Sequence, residues 1–263
     1  MTDILLRERS QGILRLTLND PKTRNSLSEA MMAALAIALD EAKHDQETRV
    51  IVIAAAGPAF CSGHNLKEIA ARRRDEDRGK AYFTKLMAHC SALMQEIVHH
   101  PWPVIAEVAA PASAAGCQLV ASCDLALASE QASFATPGVN IGLFCSTPMI
   151  ALSRNVSRKH AMEMLLTGEM VSAGDAERIG LVNRVVAAQL LRTSVDELAL
   201  RIAGKSKAVT RIGKEAFYRQ IDMPLADAYD YAARVMVENL LMQDAEEGIG
   251  AFVEKRPPEW HDR

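Results

Sequence analysis

Two stretches decide the reading of this chain: Ala59-Phe60-Cys61-Ser62-Gly63-His64-Asn65-Leu66-Lys67-Glu68, and Ala112-Ser113-Ala114-Ala115-Gly116-Cys117-Gln118-Leu119-Val120-Ala121-Ser122-Cys123-Asp124. The first follows the apolar run Val50 to Ala55, the second the run Val104 to Val108. Continuous β-branched runs of that length mark strands covered on both faces, as in a parallel sheet between helices. Each stretch is therefore a strand-to-helix junction with small residues at the bend. Small residues let a ligand approach the backbone, and a helix start exposes unpaired N–H donors carrying partial positive charge. Two such donors converging on one carbonyl oxygen make an oxyanion hole. Glycine-rich junctions are also common as plain turns, so the residues alone leave both readings open.

Outward from the first stretch, Ile4 to Glu8 and Ile13 to Leu18 read as a hairpin around Ser10-Gln11-Gly12. Pro21 to Asn25 reads as a turn. Ser26 with Glu29 matches a capping box, and Met31, Leu35, Ala38 and Ala42 continue at helical spacing. A helix over Lys80 to His99 is stopped by Pro101 and Pro103, and Asp124 to Ala128 is a further strand. Alternating strands and helices predict an α/β core. Beyond residue 190 only helical patterns remain: Leu190 to Ala203, Ser206 to Arg219, Leu225 to Leu241 and Ala245 to Val253. No fixed-period repeat runs through the chain.

The chain has 263 residues and a formal net charge of −3, which gives no basic field for nucleic acid and no acidic tail. Aromatics are only 5% of residues, so the core falls to Ala, Val, Ile, Leu and 12 Met. The five Cys (Cys61, Cys90, Cys117, Cys123, Cys145) are scattered without a CxxC pair. That predicts free thiols, no metal site and a reducing, cytoplasmic setting. Met1-Thr2-Asp3 runs into an apolar segment without a charged n-region, so neither a signal nor a transit peptide is expected. No apolar run is long enough for a membrane span.

The two stretches resemble the loops of the crotonase superfamily, the enoyl-CoA hydratase/isomerase family. Residues 59–68 are similar to its AFCxGxDLKE segment, and residues 112–124 to AxGGGxELAxxCD. Further matches are Ser133 to Pro137, Gly168 with Ser172-Ala173, Ala176 with Gly180-Leu181-Val182, and Glu247-Gly248 with Phe252 to Arg256. Phe134 to Pro148, with Ala114 to Gln118, resembles the branch called enoyl-CoA hydratase domain-containing protein 3. The resemblance implies an α/β spiral of ββα turns over residues 1–195 and a C-terminal helical trimerisation region over 196–263. It also implies an acyl-CoA or enoyl-CoA substrate, no cofactor beyond that CoA, no metal, and a homotrimer or dimer of trimers. Family oxyanion donors fall on the backbone N–H of His64 and Ala115. Expected substrate and CoA contacts are Ser62, Leu66, Lys67, Gly116 and Cys145, with Phe252 and Lys255 reaching a neighbouring subunit's CoA.

The departures bear on the chemistry. The two glutamates of the hydratases fall on Gln118 and Gly138. An amide cannot take a proton at neutral pH, and glycine offers only backbone. Losing a positioned acid/base typically costs about 10² to 10⁴-fold each, so ordinary hydration is expected to be impaired. Isomerisation, thioester hydrolysis, decarboxylation and non-catalytic acyl-CoA binding stay open. Among other groups, His64 is either a proton shuttle or only a backbone donor. Cys145 and Ser146 read as pocket lining, Glu68 as a solvated carboxylate in a helix's first turns, and Asp124 as an organiser of a strand start. Arg72 to Arg78 reads as a solvated segment. His99-His100 sits at a helix end, facing its dipole.

Overall fold

The computed structural model describes residues 3–263; Met1 and Thr2, part of the N-terminal reading above, lie outside the described residues. The chain runs β1 (Leu5–Ser10), β2 (Ile13–Leu18), α1 (Glu29–His44), β3 (Val50–Ala55), α2 (Leu66–Arg72), α3 (Lys80–His99), β4 (Val104–Val108), β5 (Ala112–Ser113), α4 (Ala115–Ser122), β6 (Leu125–Ser129) and β7 (Ser133–Ala135). It continues through α5 (Pro148–Asn155), α6 (Arg158–Thr167), β8 (Val171–Ser172), α7 (Ala173–Arg178), β9 (Arg184–Val186), α8 (Leu191–Ala203), α9 (Lys207–Gln220), α10 (Leu225–Leu240) and α11 (Gln243–Glu254). The main sheet has the order β1-β2-β3-β4-β6-β9, antiparallel at the β1–β2 hairpin and parallel thereafter. A second, small sheet orders β5-β7-β8.

The period of two along β3 shows why its whole run is apolar. Ile51 and Ile53 face the larger core with α1, α3 and α4, while Val50 and Val52 face Leu191, Val195 and Ala199 of α8. Arg15 is the buried exception on the α8 side. It pairs with Glu107 and, at 2.5 Å, with Asp196, so the charge is matched where it is desolvated. The division expected at 195/196 runs through α8, whose inner face belongs to the core.

Helix α9 and the C-terminal tail are tied on by polar groups. Lys214 Nζ, buried, donates to the carbonyls of Ile97 and Trp102 and pairs with Asp124 at 2.7 Å. Asp124 Oδ2 also accepts from Val104 N–H, as expected of a group organising a strand start. Lys207 lies 4.1 Å from the Trp102 ring centroid, and Asp262 accepts from Arg49 and from Lys207 N–H.

Two local expectations are corrected, and a third is refined. The cap of α1 is Ser28, whose Oγ accepts from Met31 N–H; Glu29 is then the first helical residue, too early to close a box. His100 does not face the dipole as a cation. It is a satisfied core imidazole whose Nε2 bonds Leu39 O and whose Nδ1 accepts from Trp102 N–H, and burial pushes its pKa down. Residues 72–78 are exposed, as expected, but Asp77 has a task, accepting from Gly79 and Ala81 N–H at the start of α3.

Candidate active site

The two bends meet. Phe60 N–H donates to Pro111 O and Ser113 N–H to Cys61 O, both at 2.9 Å, so the strand ladder continues past β3 and pulls the first bend onto the second. Ala114 N–H in turn donates to Ala135 O on β7. At the contact the backbones touch. A Cβ on Gly63 would lie 2.9 Å from Ala114 Cβ and 3.3 Å from Ala115 N, and a Cβ on Gly116 would lie 2.2 Å from Cys61 O. Glycine is required at Gly63 on conformational grounds too, since its φ is +90°.

Ala114 carries strain at this point, with φ 50° and ψ −117°, a region that a residue with a Cβ rarely occupies. That turn aims the start of α4 at the first bend. Helix α4 is buried along its entire length, so the positive end of its dipole acts in a low-dielectric setting. Neither the Ala115 nor the His64 N–H donates to a protein acceptor among the described residues. Two unpaired N–H groups, on segments in van der Waals contact, suit an oxygen that gains negative charge.

The His64 imidazole is turned toward Leu27. Nδ1 lies 3.3 Å from Leu27 O and so carries the proton, while Nε2 is buried without a partner among the described residues. Burial holds its pKa below the usual 6.5. Glu68 is not the solvated carboxylate expected. It is half-buried, with Oε1 accepting from Asn65 Nδ2 at 3.2 Å and Oε2 from Glu29 N–H at 3.4 Å, so it braces the starts of α2 and α1.

The other predicted residues fall in several places. Ser62 faces the neighbouring turn, donating from Oγ to Thr23 O and from N–H to Arg24 O. Leu66 and Lys67 open α2 on the surface, with Lys67 N–H capped by Asn65 Oδ1. Gln118 is buried inside α4, its Oε1 3.9 Å from Cys90 Sγ. Phe252 and Lys255 lie exposed at the end of α11, Phe252 at 85%.

Gly138 sits in a short 3-10 turn, Pro137–Ile141, and the space its side chain would need is taken. A Cβ there would lie 2.8 Å from Leu143 O and 2.9 Å from Cys145 Sγ. Cys145 is buried, its thiol pushed up by desolvation. The sequence reading put Cys145 near the pocket but missed that its sulfur packs against Gly138, on which the resemblance puts the second glutamate. It also missed the strain at Ala114, which no composition signal announces. Among the described residues no group of three His, Cys, Asp or Glu side chains is arranged to hold a metal, and no helix is long and apolar enough to cross a membrane.

The overall fold is shared with known proteins. A frog (Xenopus laevis) protein named enoyl-CoA hydratase domain-containing protein 3, mitochondrial, is 48% identical over 98% of this chain and 86% of its own length. The crystal structure of human enoyl coenzyme A hydratase domain-containing protein 3 superposes with a TM-score of 0.94 at 45% identity, covering 98% of this chain and 100% of that one. That of an enoyl-CoA hydratase of Mycobacterium smegmatis does so with a TM-score of 0.94 at 50% identity, covering 99% and 100%. These matches establish the crotonase-type α/β fold with its C-terminal helices, and the domain-containing protein 3 branch. They also correct one expectation. The frog, rat, mouse, human and zebrafish relatives are all named mitochondrial, which overturns the cytoplasmic assignment drawn from free thiols. Unpaired cysteines report a reducing environment, and that is not confined to the cytoplasm. With the family model for enoyl-CoA hydratase/isomerase matching residues 8–263, the chain belongs to the enoyl-CoA hydratase/isomerase family.

Proposed function

We propose that this protein binds an acyl-CoA thioester and stabilises the enolate or oxyanion of its carbonyl through the backbone N–H of His64 and Ala115. The observation that carries the reading is the contact of the two bends at Gly63 and Gly116, beside two N–H groups without acceptors among the described residues. In a buried site, one such donor is typically worth about 10² to 10³-fold in rate. The buried, unpaired start of α4 adds its dipole in the same sense.

The chemistry favoured is enolate chemistry other than hydration. Gln118 is an amide and takes no proton, and beside Gly138, where the resemblance puts the second carboxylate, a side chain would meet Leu143 O and Cys145 Sγ. A water between two carboxylates, as hydration needs, has no counterpart here. In this reading Leu66 and Lys67 meet the CoA on the surface, and Ser62 and Gly116 shape the bends. The reaction calls for no cofactor beyond the CoA of the substrate. Residues 196–263 are proposed as the oligomerisation region, in a trimer or dimer of trimers. Tyr229, Met236, Val237, Leu240, Leu241 and Phe252 leave an open apolar surface that supports this, and it sets Phe252 and Lys255 free to reach a neighbour.

Calorimetry with CoA and acyl-CoA, paired with turnover of crotonyl-CoA and vinylacetyl-CoA, tests the reading. Binding of acyl-CoA with weak hydration is expected. No CoA binding at all defeats it, and robust hydration defeats the exclusion of water chemistry.

A further inference from the structure

We propose that the turn of residues 23–27 aims the oxyanion donor peptide Gly63–His64, and that Asn25 is the positioning residue that pins this turn. The proposal rests on the thioester reading above and adds the groups that direct one of its two donors.

The donor peptide is held from its carbonyl side. Gly63 O accepts from Leu27 N–H at 2.8 Å, and Leu27 and His64 form a parallel bridge. A peptide unit is planar and trans, so its C=O and N–H point in opposite directions. With Gly63 O committed to Leu27, the His64 N–H is turned away from Leu27. The same bond polarises the unit, because hydrogen bonds in a chain strengthen one another.

Leu27 is held in turn by the residues before it. Residues 23–27 run alongside 59–64: Ser62 Oγ donates to Thr23 O and Ser62 N–H to Arg24 O, both at 3.1 Å. Asn25 lies between them, fully buried, at φ +54°. Asparagine is among the few residues other than glycine that take this left-handed conformation routinely. Its Nδ2 donates to Ala56 O and to Ala59 O, and its Oδ1 accepts from Asp20 N–H, all at 2.8 Å. The two Nδ2 hydrogens therefore span the Gly57-Pro58 turn, through which the chain leaves β3 for the first bend. Gly57 packs on Pro21, where an added Cβ would lie 2.7 Å from Pro21 Cβ. One buried amide thus joins the turn to the start of the bend, with two donors and an acceptor on a short side chain. Asn25 acts through backbone, and its contribution is to the direction of the donor.

The test uses 4-(dimethylamino)cinnamoyl-CoA, a conjugated thioester whose absorption moves to longer wavelength as its carbonyl accepts hydrogen bonds. Wild type should bind it with such a shift. Asn25→Gly keeps the left-handed backbone and removes the amide; with one of two donors misdirected, about half of the shift or more should be lost. Affinity for the probe should fall by less than about tenfold, since the CoA contacts lie elsewhere. Asn183→Ala is the control. Its Oδ1 accepts from Ala126 N–H on β6, outside both bends, so its loss should lower Tm and leave the shift unchanged. Thr23→Val is a milder second variant. It removes an exposed hydroxyl that donates to Asp20 Oδ2 and accepts from Ser26 N–H in the same turn, and should lose a smaller part of the shift. Thermal unfolding checks that each variant is folded. A full wild-type shift in folded Asn25→Gly, or in Thr23→Val should Asn25→Gly not fold, overturns the proposal. So does an equal loss in Asn183→Ala. In each of these cases the thioester reading survives. Wild type that binds the probe without a shift defeats the oxyanion reading and the proposal together, and absence of binding defeats the thioester reading as a whole.

Discussion

Gly116→Ala puts a number on the claim that the two bends are held in contact. The added methyl carbon would lie 2.2 Å from Cys61 O and 2.8 Å from Cys61 C, both backbone atoms. A carbon and a carbonyl oxygen meet at roughly 3.3 Å, so the bends must separate by about 1 Å. Two effects oppose each other. Alanine gains up to about 1 kcal/mol over glycine in a helix, and overpacking a filled site costs about 1–3 kcal/mol. The clash with fixed backbone decides the sign, giving a net loss of about 1–2 kcal/mol. For a chain of this size that lowers Tm by about 2–8 °C. Function should suffer more than stability, because a 1 Å displacement of a positioned group costs on the order of 10²-fold in rate. Differential scanning calorimetry with vinylacetyl-CoA turnover reads both. Gly174→Ala on α7 is the control, since its methyl meets open space and only a helix gain of up to about 1 kcal/mol remains. A Gly116→Ala protein as stable and active as wild type would refute the contact between the bends.

Gly138→Glu, with or without Gln118→Glu, should not install hydration of crotonyl-CoA, because Leu143 O and Cys145 Sγ occupy the side chain's path; a large rise in hydration rate contradicts this. His64 and His100 both have pKa values lowered from 6.5 by burial, so the unfolded chain takes up protons first on acidification. Their stabilisation is complete above about pH 6.5 and is lost as pH falls toward the folded values; urea unfolding from about pH 7.5 to 5.5 should show a falling midpoint, and a flat profile counts against it. Lys214→Met leaves Asp124 buried without its cation and should cost about 3–5 kcal/mol in chemical denaturation, loosening α9 from the core; a loss below about 1 kcal/mol contradicts the anchoring role.

The bounds of β3, α3 and β4 were legible because apolar runs there end at Gly57-Pro58, Pro101 and Pro103, where backbone chemistry allows no continuation. The start of α1 was harder, since Ser26 and Ser28 both fit a cap and only the chain's direction after the turn selects Ser28. His100 was misread because a histidine at a helix end looks alike whether it faces water or Leu39 O. At the site, the two bends were legible as small residues after buried strands. What fills the space beside Gly138 was not, because it depends on where residues 143–145 return in space. The proton position on His64 is likewise set by a carbonyl 37 residues away, at Leu27.

All five thiols are buried, and desolvation raises every one of them. A thiol alkylates as its thiolate, so the folded chain should resist labelling and each cysteine should react only when its surroundings open. The protein thus carries native clocks in separate places: Cys61 and Cys117 at the two bends, Cys90 on α3, Cys123 beside the Asp124–Lys214 anchor, and Cys145 over Gly138. Labelling rates resolved by residue would show whether the bends open together as one unit, and whether a bound thioester slows Cys61, Cys117 and Cys145 while leaving Cys123 unchanged.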